Sequence, residues 1–189
     1  MFRQKRAFVS AVCLIVVCPL IFALAGCEAK TPRISSSPKP SVKTNVAVTD
    51  DEAARLVESA YADYLSVSDQ IYSEGGTNAN RIDEVARGDA AEEFKSAASD
   101  LSAKQFRTLG TTTADSIQIQ TIDSHSGGVS SITAYLCSDV STVDVVDVDG
   151  ASMVSPDRNA RTPYQIVVEI QDSKALISSR VVWVGDNFC

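Results

Sequence analysis

The spacing of apolar residues changes once along this chain of 189 residues, and the change restricts the fold. Between residues 49 and 106, apolar residues recur every three or four positions, which is typical of amphipathic helices. From Thr108 onward they recur at every second position, which is typical of strands with one buried face. Helices followed by strands with hairpin-length connections predict an α+β domain with an antiparallel sheet.

Three helices are predicted in the first half of this domain. Thr49 and Glu52 have the spacing of a capping box, and the long helix that follows is expected to end at the glycine pair 75–76. A shorter helix is predicted within residues 78–88. Asp89 is then expected to cap a third helix, whose buried face would carry Ala90, Phe94, Ala97 and Leu101.

The second half of the domain contains segments with the pattern of strands, at 116–121, 129–139, 141–150, 164–170 and 175–189. Alternation places two sets of residues on opposite faces of the second segment, Ile132, Ala134 and Leu136 against Tyr135 and Cys137. The last segment is expected to continue as a strand to Cys189. At Ile122 the alternation slips by one residue, which indicates a bulge or a change of curvature.

The first 26 residues have the layout of a signal peptide. Three cations in MFRQKR precede about twenty uncharged residues, a length that also suits a retained membrane helix. The run ends in LAGC, which resembles the bacterial lipobox, where a small residue precedes a cysteine that receives a diacylglyceryl group. The resemblance implies cleavage before Cys27, a lipid on Cys27 and a place on the extracytoplasmic face of the bacterial cell membrane. A retained helix and a simple secretion signal are the alternatives.

Residues 27–48 are predicted to form a flexible tether, because they contain three prolines, four serines and few bulky apolar groups. Residues 49–189 remain as a single α+β domain. Removal of residues 1–26, which hold three cations and no acid, changes the net charge from −7 to −10. Such a surface repels phosphate, and the sequence has no basic cluster, so nucleic-acid binding is excluded.

The cysteine count predicts a disulfide. Two of the five cysteines lie in the signal peptide, and Cys27 is assigned to the lipid, which leaves Cys137 and Cys189. In an exported chain such an even remainder favours a disulfide. A zinc site and a catalytic thiol are the alternatives. A zinc site needs about four ligands and a nucleophilic thiol needs a histidine base, whereas the chain has one histidine, His125, in a turn-like segment. No metal site is predicted.

Three short patterns resemble those of a set of actinobacterial lipoproteins of unassigned function, namely C-x-D-x-S at 137–141, D-x-D-G at 147–150 and W-x-G-x-x-x-C at 183–189. The resemblance covers roughly residues 50–189. In layout it extends to the nuclear transport factor 2-like (cystatin-like) cone, which also houses SnoaL-like and ketosteroid isomerase-like enzymes. It implies that the N-terminal helices pack on the concave face of a curved antiparallel sheet and that the two matching cysteines join neighbouring strands. A shared fold does not transfer function.

The concave face is the predicted position of a pocket. Tyr61 and Tyr64 lie on the apolar face of the first helix and Tyr135 lies on a strand, so their hydroxyls are candidates to enter a cavity. The alternative is that these rings fill the core, with their hydroxyls bonded to backbone groups. Asp63 and Asp69 fall outside the apolar stripe by their spacing. The cavity is therefore expected to be small or closed, apolar apart from tyrosine hydroxyls, and without a catalytic base or cofactor.

Other acidic and aromatic residues have structural interpretations. Asp123 or Asp139 would turn into the cavity only if the slip at Ile122 bent the sheet. A calcium loop is disfavoured because Val145 and Pro156 occupy positions where an EF-hand needs carboxylates, so three acids are interpreted as strand and turn residues facing solvent, namely Asp144, Asp147 and Asp149. Trp183 is interpreted as a core or sheet-surface residue rather than a platform for sugars.

These features predict a membrane-anchored extracytoplasmic lipoprotein with a non-enzymatic binding or interaction module. Its partners would be the membrane, through the lipid on Cys27, and an envelope protein or a small ligand. One alternative is a SnoaL-like or isomerase-like enzyme that uses the concave pocket. Another is an accessory subunit of an envelope transport or conjugation apparatus.

Overall fold

The computed structural model describes residues 48–125 and 128–189. The predicted signal peptide, Cys27 and all of the predicted tether except Val48 lie outside these residues. Within the described part, no helix is both long and apolar enough to cross a membrane. The helices are α1 (Asp50–Ser73), a 3₁₀ helix (Ala79–Glu84) and α2 (Gly88–Ala103). The strands are β1 (Arg107–Leu109), β2 (Thr113–His125), β3 (Gly128–Asp139), β4 (Asp144–Val146), β5 (Arg161–Gln171) and β6 (Lys174–Val182).

The two ends of α1 follow the sequence signals. The Thr49 hydroxyl accepts from the Glu52 amide, and the Glu52 carboxylate accepts from the Thr49 amide, so the predicted capping box is confirmed. After Ser73 the chain turns through the two glycines. Gly76 has a φ of +78°, and a Cβ there would lie 2.1 Å from the Ala98 carbonyl oxygen. Glycine at this position therefore lets the end of α1 approach the backbone of α2.

The other predicted helices differ from the structure in detail. The second is a 3₁₀ helix, and Arg87 rather than Asp89 occupies the N-cap of α2, with no side-chain capping bond. An arginine side chain has no acceptor and cannot cap the first amides, and the backbone before α2 is held by β6 instead. The Arg87 amide donates to the Ile177 carbonyl at 2.9 Å, and the Ile177 amide donates to the Val85 carbonyl at 3.0 Å. Asp89 lies in the first turn, where its charge suits the positive end of the helix. The buried face carries Ala98, whereas Ala97 is exposed.

The strands form a four-stranded antiparallel sheet in the order β2-β3-β5-β6, beside a two-stranded sheet of β1 and β4. One face of the larger sheet packs against the helices, and the predicted α+β class with N-terminal helices on an antiparallel sheet is confirmed. Six strand residues on this face are fully buried, namely Ile132, Ala134, Leu136, Ile166, Val168 and Ile177. The alternation predicted for β3 is therefore confirmed.

Bulges interrupt the regular pairing of the larger sheet. The register of β2 and β3 shifts between Ile119 and Thr121, next to the slip expected from the sequence. The pairing of β5 and β6 shifts between Val167 and Val168, because Val167 faces Ser179 whereas Val168 faces Ile177. The predicted strand at 141–150 is reduced to β4, because the Asp147 carboxylate accepts from the amides of residues 149 and 151 and closes a turn.

The Sγ atoms of Cys137 and Cys189 lie at disulfide-bonding distance, so the predicted pair is confirmed. Its predicted setting is wrong, since β6 ends at Val182 and Cys189 belongs to no strand. The Trp183 amide donates to the Pro163 carbonyl of β5, and the Trp183 ring packs on Tyr135 of β3. The C-terminal segment thus crosses the outer face of the sheet, and the disulfide joins β3 to this segment rather than to a neighbouring strand.

Loss of the disulfide should destabilise the domain. Cys137 and Cys189 are 52 residues apart, and closing a loop of that length contributes about 4 kcal/mol on the chain-entropy estimate. We expect Cys137→Ser/Cys189→Ser to lower the free energy of unfolding in urea by about this amount. A reducing agent should lower the stability of the native protein similarly and leave the double variant unchanged. Equal unfolding curves for the native protein and the double variant would contradict the bridge.

Candidate functional site

A cavity of about 200 Å³ lies between the second half of α1 and the buried face of the sheet. A second cavity of about 230 Å³ lies on the side of α2. Tyr64, Tyr72 and Arg180 line both cavities, so these three side chains form the wall between them. The first cavity is rich in hydroxyl groups, whereas the α2 side of the second is formed by Ala90, Glu93, Phe94 and Ala97.

Arg180 faces the helices because of the bulge in β6. Antiparallel partners point to the same side of a sheet, and Arg180 pairs with Ile166, which is fully buried in the core. Regular alternation from Ile177 would have placed position 180 on the opposite face. The extra residue in β6 therefore turns a cation inward.

Among residues 48–125 and 128–189, protein groups accept only one of the hydrogen bonds that the Arg180 guanidinium can donate. Its Nε donates to the Tyr61 hydroxyl at 2.8 Å, and its Cζ lies 3.6 Å from the centroid of the Tyr164 ring. No acid in the described part of the chain forms a salt bridge with it. A guanidinium carries five N–H donors and remains protonated in proteins. Arg180 therefore presents a positive charge and unused donors to the cavities.

The neighbouring tyrosines are neutral hydroxyl donors at ordinary pH. Burial is the main cause that raises the pKa of Tyr72 to about 12, and the charge of Arg180 opposes this shift. Burial also raises the pKa of Tyr64 well above its usual value. The Tyr64 ring stacks on Tyr61 with a centroid separation of 5.7 Å and meets Phe94 of α2 edge to face. These aromatic contacts thus hold Tyr64 in place beside Arg180 in the wall between the cavities.

Asp69 also lines the first cavity, which corrects the prediction that no acid would do so. It lies on the flank of α1, outside the apolar stripe, but the chain entering β2 folds against that flank. The Thr112 amide donates to one Asp69 oxygen at 2.7 Å, and the Thr112 hydroxyl donates to the other at 2.8 Å. These bonds bring the helix flank, and the carboxylate, to the border of the cavity.

The predicted pocket residues are separated by the sheet. Tyr64 lines both cavities, and Tyr61 lies behind the wall, fully buried, with its hydroxyl on Arg180. The prediction for Tyr135 is wrong, because alternation in β3 points it to the outer face, where its ring centroid lies 4.7 Å from that of Trp183. Arg180 was not predicted. The signal for it was a lone cation among small and apolar residues in ALISSRVV, since a charge in a half-buried strand needs a reason.

The two acids that the sequence left as candidates to turn into the cavity, Asp123 and Asp139, have structural partners. Asp139 accepts from the Ser141 amide and pairs with Arg161, and Asp123 is exposed and accepts from the Ser131 hydroxyl. Neither borders the first or the second cavity. Among residues 48–125 and 128–189, no group of three or more histidines, cysteines and acids is placed to hold a metal ion.

Comparisons with known proteins identify no family. No protein-family model matches the chain, and no curated protein matches it. Among solved structures, the intermembrane space region of the chloroplast protein ARC6 matches with 13% identity and a TM-score of 0.49, over 70% of this chain and 97% of that one. Aln2 from a Streptomyces species matches with 15% identity and a TM-score of 0.45, over 72% and 93%. Kfla4162 from Kribbella flavida matches with 15% identity and a TM-score of 0.41, over 70% and 91%.

The raised pKa of Tyr72 predicts a loss of stability at high pH. Below about pH 10 both the folded and the unfolded chain hold this proton, so ionisation of Tyr72 does not reduce the free energy of unfolding there. As the pH rises from about 10 towards about 12, the unfolded chain releases the proton while folded Tyr72 retains it. Unfolding therefore becomes easier. Urea unfolding between about pH 9 and about pH 11 should show a smaller loss of stability in Tyr72→Phe than in the native chain. An equal loss in both would contradict the shift.

Proposed function

We propose that this chain is a lipid-anchored extracytoplasmic module that binds a small anionic ligand at Arg180. The observation that carries the proposal is a guanidinium that borders two cavities and has no carboxylate partner among the described residues. Removing a charge from water is costly unless a counter-charge or hydrogen bonds replace the water. An anionic ligand would supply both.

The contrast with other arginines strengthens the proposal. Arg161 pairs with two acids, Arg81 pairs with Glu74, and Arg87 pairs with Glu169. Arg158 donates to the Val140 and Val143 carbonyls instead, and Arg55 and Arg107 are exposed. Among the partly covered arginines of the described residues, Arg180 alone has neither an acid nor a backbone carbonyl as a partner. If Arg180 had only a structural role, a salt bridge to an acid would stabilise it as well.

The size of the cavity limits the ligand. Pockets for drug-sized molecules usually enclose about 300–1,000 Å³, whereas the hydroxyl-rich cavity encloses about 200 Å³. We therefore propose a compact ligand whose anionic group meets Arg180 and whose other polar atoms meet hydroxyls of the cavity wall. Three side chains of the sheet and its edge supply such hydroxyls, namely Thr112, Ser138 and Thr162.

The proposed location has independent support. The LAGC sequence closes an apolar run behind a basic amino terminus, which is the pattern of a lipidated export signal. The disulfide suits an oxidising compartment outside the cytoplasm. Helices on one face of an antiparallel sheet, with cavities between the layers, also suit the nuclear transport factor 2-like arrangement that the sequence resemblance implies. We propose membership of the lipoprotein set on these grounds.

An enzyme is the second candidate, and Asp69 is the observation that favours it. A carboxylate and three tyrosines border one cavity, and a carboxylate base with a tyrosine hydroxyl is the combination that proton transfer at a carbon acid uses. Both oxygens of Asp69 already accept from Thr112, an arrangement that suits a fixed charge better than a base. Binding without catalysis therefore remains the first proposal.

Lipidation can be tested at the cysteine itself. We expect Cys27→Ser to abolish diacylglyceryl transfer, because the acceptor thiol is lost, and to release the protein from the membrane fraction of a bacterial host. Mass spectrometry of the mature amino terminus gives the measurement. Cys137→Ser serves as the control, because it removes a cysteine without touching the lipobox. An unmodified mature amino terminus in the native protein would end the proposal.

Binding at Arg180 can be tested with acetate, propionate and butyrate as probes. Calorimetric titration of the full chain in detergent should show that Arg180→Gln weakens carboxylate binding at least tenfold, since one lost charge-assisted hydrogen bond is worth about 1.5–3 kcal/mol. Arg55→Gln is the matched control, because it removes the same charge from an exposed position on α1. Equal affinities in the two variants would contradict the proposal.

A further inference from the structure

Two opposite charges border the hydroxyl-rich cavity without pairing with each other. Arg180 and Asp69 both line it, yet no salt bridge joins them. Tyr72 lies on the same wall. Burial dominates the pKa of Tyr72, but Arg180 lowers it and Asp69 raises it, so both charges act at this hydroxyl. The cavity is therefore dipolar, with a cation and an anion on the border of a space of about 200 Å³.

Asp69 has acceptor capacity left for a ligand. An ionised carboxylate offers about four lone pairs, and Thr112 uses one on each oxygen through its amide and its hydroxyl. No lysine or arginine in the described part of the chain forms a salt bridge with Asp69. The Thr112 bonds hold the carboxylate in one orientation and leave its negative charge uncompensated.

We infer that the ligand is a small zwitterion, with its anionic group on the Arg180 guanidinium and an ammonium group on Asp69. This inference rests on the proposed function and adds a second contact of opposite sign. A simple anion would satisfy Arg180 but would be repelled by the carboxylate across the cavity. A zwitterion neutralises both groups at once, so both desolvated charges gain a partner.

The charge of the whole chain favours the same class of ligand. The chain carries a net charge of −7, and −10 without residues 1–26. A negative surface lowers the local concentration of a net anion, whereas it has little long-range effect on a molecule whose charges cancel. A net-neutral ligand with two ionic ends can therefore reach the cavity and still form two charge-assisted contacts. Amino acids and related short amino carboxylates are the chemical class that fits.

The experiment compares each amino acid with the carboxylate that lacks only its amine. Glycine, β-alanine and 4-aminobutyrate are titrated into the full chain beside acetate, propionate and butyrate. We expect at least one amino acid to bind at least tenfold more tightly than its partner, a difference that corresponds to about 1.4 kcal/mol. Asp69→Asn should remove this advantage, while carboxylates should bind at least as tightly as they bind to the native chain, which also reports that the variant is folded. Arg180→Gln should weaken both series.

The outcomes separate this inference from the proposed function. Carboxylate binding that depends on Arg180, with no advantage for any amino acid, would overturn the zwitterion and leave the anion site intact. Binding by neither series would overturn both. An advantage for an amino acid that persists in Asp69→Asn would overturn the assignment of Asp69. The comparison of amino acids with carboxylates uses the native protein alone. It therefore decides whether the ligand is a zwitterion even where Asp69→Asn fails to fold.

Discussion

The position of Arg180 between the two cavities depends on one β-bulge in the last strand, β6. Pairing of Val168 with Ile177 and of Ile166 with Arg180 requires an extra residue in β6, and that residue turns the guanidinium towards the helices. Without the bulge, the Tyr61 hydroxyl, which is covered by the core, would lose its partner in Arg180. A bulge on an edge strand costs one ladder position, which is a small cost for placing a cation inside a domain.

The same strand links the site to the helices. The backbone at Val85 and Arg87 bonds to Ile177 and covers part of the free edge of β6 immediately before α2 begins. This contact fixes where α2 starts, and α2 supplies the wall of the second cavity. On the other face, the disulfide holds Cys137, whose neighbour Ser138 borders the first cavity. Both cavities are thus bounded by backbone that is anchored independently of any ligand, which favours a preformed site.

Local signals predicted the framework of the domain but not its site. The capping box at Thr49 and the alternation in β3 act within a few residues, so the sequence contains all the information they need. The start of α2 depends on a bond to β6, which lies about ninety residues away in sequence, and such long-range pairing leaves no local pattern. Arg180 and Asp69 likewise gain their positions from a bulge and from Thr112, two features set by the tertiary structure.

The two unpaired charges at the cavity lower the stability of the free protein. Arg180 and Asp69 are each partly removed from water, and each lacks a counter-charge among the described residues, so the free protein bears the cost of their desolvation. Binding sites commonly retain such an unfavourable desolvation energy, while the surrounding structure supplies compensating stability. In this chain the disulfide and the aromatic contacts around Tyr64 are two elements that can supply such stability. A ligand that neutralises both charges would remove the cost in the folded state alone, and it would therefore stabilise the fold as it binds.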